Sequence, residues 1–192
     1  MKKTLLMLVA VCLYSSSFAQ IKINPQLGII LMNYTDPPAG LEYSADAGFL
    51  LGGDVRIGGK FQFEPGAYYM ATKTVTKADV PGSDPIESDI TYGWIRVKAF
   101  AAYNFVDNET FRFRANGGPA YDILLSAKDE DDNDVKGDLN KGNFSLNLGL
   151  GIDVFFITFN VGYSYGLSRV LDVDNAPDSK YSGIYAKLGV VF

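Results

Sequence analysis

Histidine is absent from this 192-residue chain, and cysteine and tryptophan occur once each. The lack of histidine removes the most frequent general acid or base and the commonest nitrogen ligand for transition metals. A single cysteine, Cys12, forbids an intrachain disulfide, so the fold is held without covalent staples. Basic residues are the minority, 17 Lys and Arg against 22 Asp and Glu, and phosphate binding wants the opposite balance. A nucleic-acid partner is therefore excluded. Beyond the first 19 residues no apolar run approaches the roughly 20 residues of a spanning helix. Helical repeats, Gly-rich linkers and low-complexity tails are also missing, which argues for one domain.

The N-terminus supplies a compartment. Lys2 and Lys3 precede an apolar run over residues 5–13, and Ser17-Phe18-Ala19 places small residues where a signal peptidase reads them. Residues 1–19 are read as a secretory signal peptide and residues 20–192 as one β-barrel domain. Cys12 follows Val11, which is bulkier than lipoprotein processing accepts, and it leaves with the signal. Losing Lys2 and Lys3 takes the basic count from 17 to 15 against 22 acidic residues, a net charge of −7.

What is present is alternation. Ile157, Phe159, Val161, Tyr163, Tyr165 and Leu167 fall on one face of an extended chain; Thr158, Asn160, Gly162, Ser164 and Gly166 fall on the other. About ten residues suffice for a tilted strand to cross a hydrocarbon layer. Breaker clusters and alternation place eight such segments, at residues 23–32, 47–57, 61–73, 90–105, 111–125, 143–154, 156–168 and 181–192. Mean hydropathy stays near neutral because alternating strands hide their apolar content from an average. The connections alternate short and long, the long ones covering 33–46, 74–89, 126–142 and 169–180, as in barrels with tight periplasmic turns and longer extracellular loops. Pro25, Pro65 and Pro119 fall inside strands, where bulges or fraying are expected.

Parity then sorts the charges. Asp54, Arg56, Glu64, Arg96, Lys98, Arg112, Arg114, Asp122, Asp153 and Lys187 all avoid the apolar face. A basic residue facing lipid near the midplane costs about 2–4 kcal/mol, so this parity is assigned to the interior. An eight-stranded barrel is just wide enough for side chains to fill it, and charges of both signs are expected to pair there. The reading is an all-β, eight-stranded antiparallel up-and-down transmembrane β-barrel with a polar, side-chain-filled interior. A soluble periplasmic ligand-binding barrel is the alternative, since alternation alone fits either. Aromatics beside the short turns (Phe61, Phe63, Tyr103, Phe105, Phe111, Phe113, Phe155, Phe156, Phe192) favour the membrane, as an interfacial girdle does. Arginine at Leu148 is expected to impair insertion, and arginine at Asn147, on the opposite parity, to be milder.

Four stretches carry a likeness: Phe61-Gln62-Phe63-Glu64-Pro65-Gly66-Ala67-Tyr68-Tyr69, Gly117-Gly118-Pro119-Ala120-Tyr121 with Leu124-Leu125-Ser126-Ala127-Lys128, Asn147-Leu148-Gly149-Leu150-Gly151, and Tyr163-Ser164-Tyr165-Gly166-Leu167. On these the chain resembles the small porin-like outer-membrane β-barrels of Gram-negative bacteria, PorT-like barrels included. The resemblance implies a place in the cell outer membrane. Leu188-Gly189-Val190-Val191-Phe192 looks like the signal read by the outer-membrane assembly machinery, resting on Phe192, although Lys187 stands where glycine is usual. Some barrels of this size are serine or histidine-assisted enzymes acting on lipid A. Without histidine, an encounter such as Asp153 with Ser145 is better read as a hydrogen-bonded interior, so no catalytic residue and no cofactor is assigned.

The run Asp129-Glu130-Asp131-Asp132-Asn133-Asp134 is the densest charge cluster. Asp129, Asp131, Asp132 and Asp134 are weak candidates for a divalent cation, since hard cations take carboxylate oxygens. The calcium-loop pattern fails, with Asp134 where a glycine belongs and Asn140 where a glutamate belongs. A solvated loop is the simpler reading. The expected partners are outer-membrane lipid and lipopolysaccharide, the assembly machinery, and divalent cations at the acidic loops, with a monomer favoured. The function read from sequence is a non-enzymatic structural, surface-interaction or narrow-pore barrel, with an accessory of a transport or secretion system as the alternative.

Overall fold

The computed structural model describes residues 21–35, 41–45, 47–78, 86–129, 133, 135, 141–168 and 180–192. The signal segment and Asp131, Asp132 and Asp134 lie outside the described residues. Nine strand segments follow one another: β1 (Ile21–Thr35), β2 (Leu41–Ala45), β3 (Ala47–Gly58), β4 (Phe61–Ala78), β5 (Ile86–Asp107), β6 (Phe111–Lys128), β7 (Gly142–Val154), β8 (Ile157–Gly166) and β9 (Lys180–Val190). β2 and β3 both pair with β4, their registers one residue apart, so together they fill one position in the wall. Every pairing is antiparallel, and β1–β9 and β4–β5 pairings close the sheet into a ring of eight positions. The seam at the C-terminus is sealed by the Ile23 amide donating to the Phe192 carbonyl at 3.1 Å and the Phe192 amide to the Ile23 carbonyl at 2.9 Å. Closure leaves no open ladder in the transmembrane wall, which a bilayer requires.

The apolar parity points outward and is exposed on every wall strand, from Ile21, Phe49 and Phe61 round to Leu148, Phe159 and Ile184. The polar parity is buried inside. In a soluble barrel this arrangement would be inverted, so the ligand-carrier alternative fails on the direction of burial. Rings gather at the short-turn rim in a contiguous row: Phe61 to Tyr103 at 4.8 Å, Tyr103 to Phe105 at 5.1 Å, Phe105 to Phe113 at 5.8 Å between centroids.

The prolines meet one half of the sequence expectation, a local loss of pairing, but not the other, a bulge. Pro25, Pro65 and Pro119 each lie at a gap in one ladder, but the register is the same on both sides of each gap. A missing amide removes one bond without requiring an extra residue. The bulges occur instead at Phe105 and Leu125, between β5 and β6. The first allows the buried Asn104 to donate from Nδ2 to the Gly59 carbonyl at 2.9 Å, bracing the β3–β4 turn. Phe155, in the two-residue turn between β7 and β8, has φ of 53°, a conformation glycine adopts more easily. Its amide donates to the Thr110 carbonyl at 2.8 Å, which ties two neighbouring turns together.

Strands β4 and β5 also outrun their apolar pattern. They remain paired from Thr74↔Ile90 to Ala78↔Ile86, and β2 joins β4 over the same stretch. Residues 74–76, Thr-Val-Thr, are β-branched and suit a strand without marking an inward and an outward face.

Candidate functional site

The lumen is the only place where this chain concentrates buried charge among the described residues. Near the short turns, Arg56 of β3 and Arg114 of β6 converge from opposite sides on Asp153 of β7: Arg56 Nη1 to Oδ2 is 2.8 Å and Arg114 Nη1 to Oδ1 is 2.6 Å. Both guanidinium groups also reach Thr158 Oγ1 of β8, at 2.9 and 3.3 Å, and Arg114 Nη2 donates to Asn160 Oδ1 at 2.6 Å. Glu64 of β4 sits on the other flank, its Oε1 3.6 Å from Arg56 Nε and 3.3 Å from Arg114 Nε. One cluster therefore ties β3, β4, β6, β7 and β8 across the barrel. A planar guanidinium suits this work because it offers several donors in a fixed fork.

One layer further in, Asp54 is held from three sides. Lys98 Nζ lies 2.8 Å from Oδ2, Tyr68 Oη 2.9 Å from the same oxygen, and Asn24 Nδ2 2.9 Å from Oδ1. The Tyr68 hydroxyl is also 2.6 Å from Gln26 Oε1, and a hydroxyl has one proton, so it donates to one acceptor at a time. Arg96 grips Asp122 bidentately, at 2.6 and 2.8 Å. Such two-pronged ionic bonds are the strongest kind available to side chains.

These long side chains need room, and glycines on the inward parity supply it. A Cβ at Gly151 would lie 2.6 Å from Arg114 Cζ, one at Gly66 would lie 2.9 Å from both Asp54 Cβ and Lys98 Cε, and one at Gly162 would strike the Tyr185 ring. Above the charged layers the lumen changes character. Ile30, Leu50, Met70, Tyr92, Trp94, Leu124, Ala127 and Tyr181 form a buried apolar cluster toward the long-loop rim. Trp94 lies 6.0 Å from Tyr92 and 6.0 Å from Tyr181 between centroids. Sequence parity did not single out Ile30, Leu50, Met70 or Leu124. The available signal was the loss of alternation itself, in Ile29-Ile30-Leu31, Leu50-Leu51 and Ile123-Leu124-Leu125.

A family described as outer membrane protein beta-barrel domain matches residues 16–172. The chain belongs to this family of outer-membrane β-barrels. No curated protein matches it in sequence. Among solved structures it is similar in fold to Ail of Yersinia pestis, solved with the heparin analogue sucrose octasulfate, with 14% identity and a TM-score of 0.50 over 90% of this chain and 99% of that one. It is similar also to the Neisserial surface protein NspA (15% identity, TM-score 0.50, 91% and 99% covered) and to OprG of Pseudomonas aeruginosa (13%, 0.51, 91% and 96%).

Not every charge assigned to the lumen of this outer-membrane barrel joins the network. Arg112 stands at the short-turn mouth, paired with Asp107 at 2.7 Å and partly exposed, because the bulge at Phe105 brings Asp107 level with it. Lys187 is buried but has no carboxylate within 4.0 Å among the described residues; Tyr68 Oη, at 3.3 Å, is its polar neighbour. Ser145 and Asp153 do not meet. They are eight residues apart on one strand, roughly 26 Å at the usual rise, and Ser145 instead accepts from Asn147 at 3.1 Å. At the acidic run, both Asp129 oxygens accept hydrogen bonds from Asn133, Oδ1 from the amide at 2.8 Å and Oδ2 from Nδ2 at 3.1 Å. Asn147 is buried beside Arg96, Lys98 and Lys187, so an added arginine there meets three cations. Inward parity alone therefore does not make a site tolerant of a basic residue.

Proposed function

We propose that this outer-membrane barrel is non-enzymatic and non-conducting, a structural and surface-interaction protein whose lumen is a rigid plug. The observation that carries this reading is Asp153, clasped by Arg114 from the neighbouring strand and by Arg56 from across the lumen, with Thr158 and Asn160 accepting further bonds from the two guanidinium groups. An ion crossing the lumen would have to break bonds of 2.6–2.8 Å in a layer that spans the barrel. The apolar cluster above it leaves a second barrier of different chemistry. Purified barrel reconstituted in a planar bilayer should give no single-channel steps; steady steps overturn the proposal.

The surface role rests on the acidic residues of the long connections. Their carboxylates gather divalent cations, and through them the phosphates of neighbouring lipopolysaccharide, while Phe192 addresses the chain to the assembly machinery. Lipopolysaccharide binding that is unchanged by a chelator counts against the cation bridge.

A further inference from the structure

At the long-loop rim, which faces the cell exterior in such barrels, β2, β4 and β5 continue past the wall as a three-stranded sheet. β4 pairs with β5 from Thr74↔Ile90 to Ala78↔Ile86 and with β2 from Ala45↔Thr74 to Leu41↔Ala78. β6 does not follow, because its pairing with β5 ends at Thr91↔Lys128. The described part of the connection after β6 folds onto the side of β6 away from β5. There the Val135 amide donates to the Ala127 carbonyl at 3.0 Å and the Leu124 amide to the Lys141 carbonyl at 2.9 Å. Among the described residues, β5 over residues 86–90 therefore has a strand on one side only.

Parity identifies the open groups. The Asn104 amide donates to the Lys60 carbonyl at 2.9 Å, and the β4–β5 register runs from there to Ile86 without a shift. Alternate residues of an antiparallel strand bond to the same neighbour, so Ile86, Ser88 and Ile90 bond to β4. Glu87 and Asp89 turn their amides and carbonyls to the open edge. Such an edge is a template for a further strand.

Charge selects that strand. Glu42↔Lys77 and Lys77↔Glu87 are register partners, so acid, base and acid stand in a row across one face of the sheet. Asp89 occupies the same face two residues along. Opposite charges in directly opposed positions stabilise paired strands, and like charges destabilise them. A second copy paired about Ser88 would set Glu87 against Asp89 twice, so self-addition is opposed. A strand with basic residues two apart continues the alternation.

We propose that the β5 edge at residues 86–90 binds an extended basic segment of a partner protein by strand addition. The segment exchanges backbone bonds with Glu87 and Asp89 and sets Lys or Arg opposite both. Strand addition here builds on the surface-interaction role and is independent of the closed lumen, so its failure leaves the non-conducting reading standing.

Amide hydrogen exchange of the intact, isotope-labelled barrel in detergent, with the peptide Thr-Lys-Val-Lys-Val-Lys-Thr as probe, tests it. At about ten times its dissociation constant the peptide should slow exchange at Glu87 and Asp89 roughly tenfold, leaving Ile86, Ser88 and Ile90, already bonded to β4, nearly unchanged. The same peptide with glutamate in place of lysine should not protect them, and the double variant Glu87→Lys, Asp89→Lys should exchange the two preferences. No protection by the lysine peptide, equal protection by both peptides, or unaltered preference in the double variant overturns the proposal. Slow exchange at Glu87 and Asp89 in the barrel alone also overturns it: the edge is then covered by the chain itself or, where protection grows with barrel concentration, by a second copy.

Discussion

The lower and upper halves of the lumen close the same barrel by opposite means. Toward the short turns the filling is Arg56, Glu64, Arg114 and Asp153, all buried and bonded across the barrel; toward the long loops it is Trp94, Met70, Leu50 and Ile30, held by packing. A buried ion pair gains little over an apolar filling of equal volume, because desolvation consumes most of the Coulombic attraction. Its asymmetry is what matters: removing one partner strands the other. An apolar filling fails gradually, by the size of the cavity left behind. The charged half is therefore brittle and specific, whereas the apolar half is tolerant of volume-conserving change.

That contrast breaks most sharply at Asp153. Asp153→Ala leaves two guanidinium groups facing each other, and the loss should be about 3–5 kcal/mol, read as a lower urea midpoint for the loss of heat-modifiable gel mobility. The outer surface sets the next scale. Leu148, 70% exposed toward lipid, should cost about 2–4 kcal/mol as Leu148→Arg near the midplane, whereas Leu148→Phe should insert as the wild type does. Folding yields into vesicles measure both.

In the apolar half, Met70→Leu conserves volume and should cost less than about 1.5 kcal/mol by the same urea assay. A loss as large as that of Asp153→Ala would erase the distinction between the halves. The smallest effect is expected at the mouth. The Arg112–Asp107 pair is partly exposed, and exposed pairs contribute about 0–1 kcal/mol, so Arg112→Ala should barely move the midpoint. A large loss there would extend the charged network to the rim.

Much of the wall was legible in the residues. The wall strands start or stop within a few residues of the alternating segments at the short turns, where apolar and polar positions contrast most strongly. They run past those segments at the long-loop rim, where Thr74, Val75 and Thr76 give no facial contrast. The inward placement of Asp54, Glu64, Arg96 and Asp122 follows from parity, since a strand offers only two directions. Arg112 shows where parity stops: it fixes the face but not the depth, and a bulge at Phe105 moved its partner to the mouth. The prolines teach the same lesson, marking absent donors correctly but not the positions of the bulges.

By itself the sequence determined which side chains share a face and that one face is apolar and the other polar, because both follow from a two-residue repeat within single strands; the direction of burial decided that the apolar face is the outer one. Only the tertiary structure decided who meets whom inside. Arg56 finds Asp153 across 97 residues of chain, and Lys187 has no carboxylate within 4.0 Å among the described residues, through the stagger of eight strands around a closed ring. Partner choice across a lumen is set by relative strand height, a property of the closed sheet that no single strand carries.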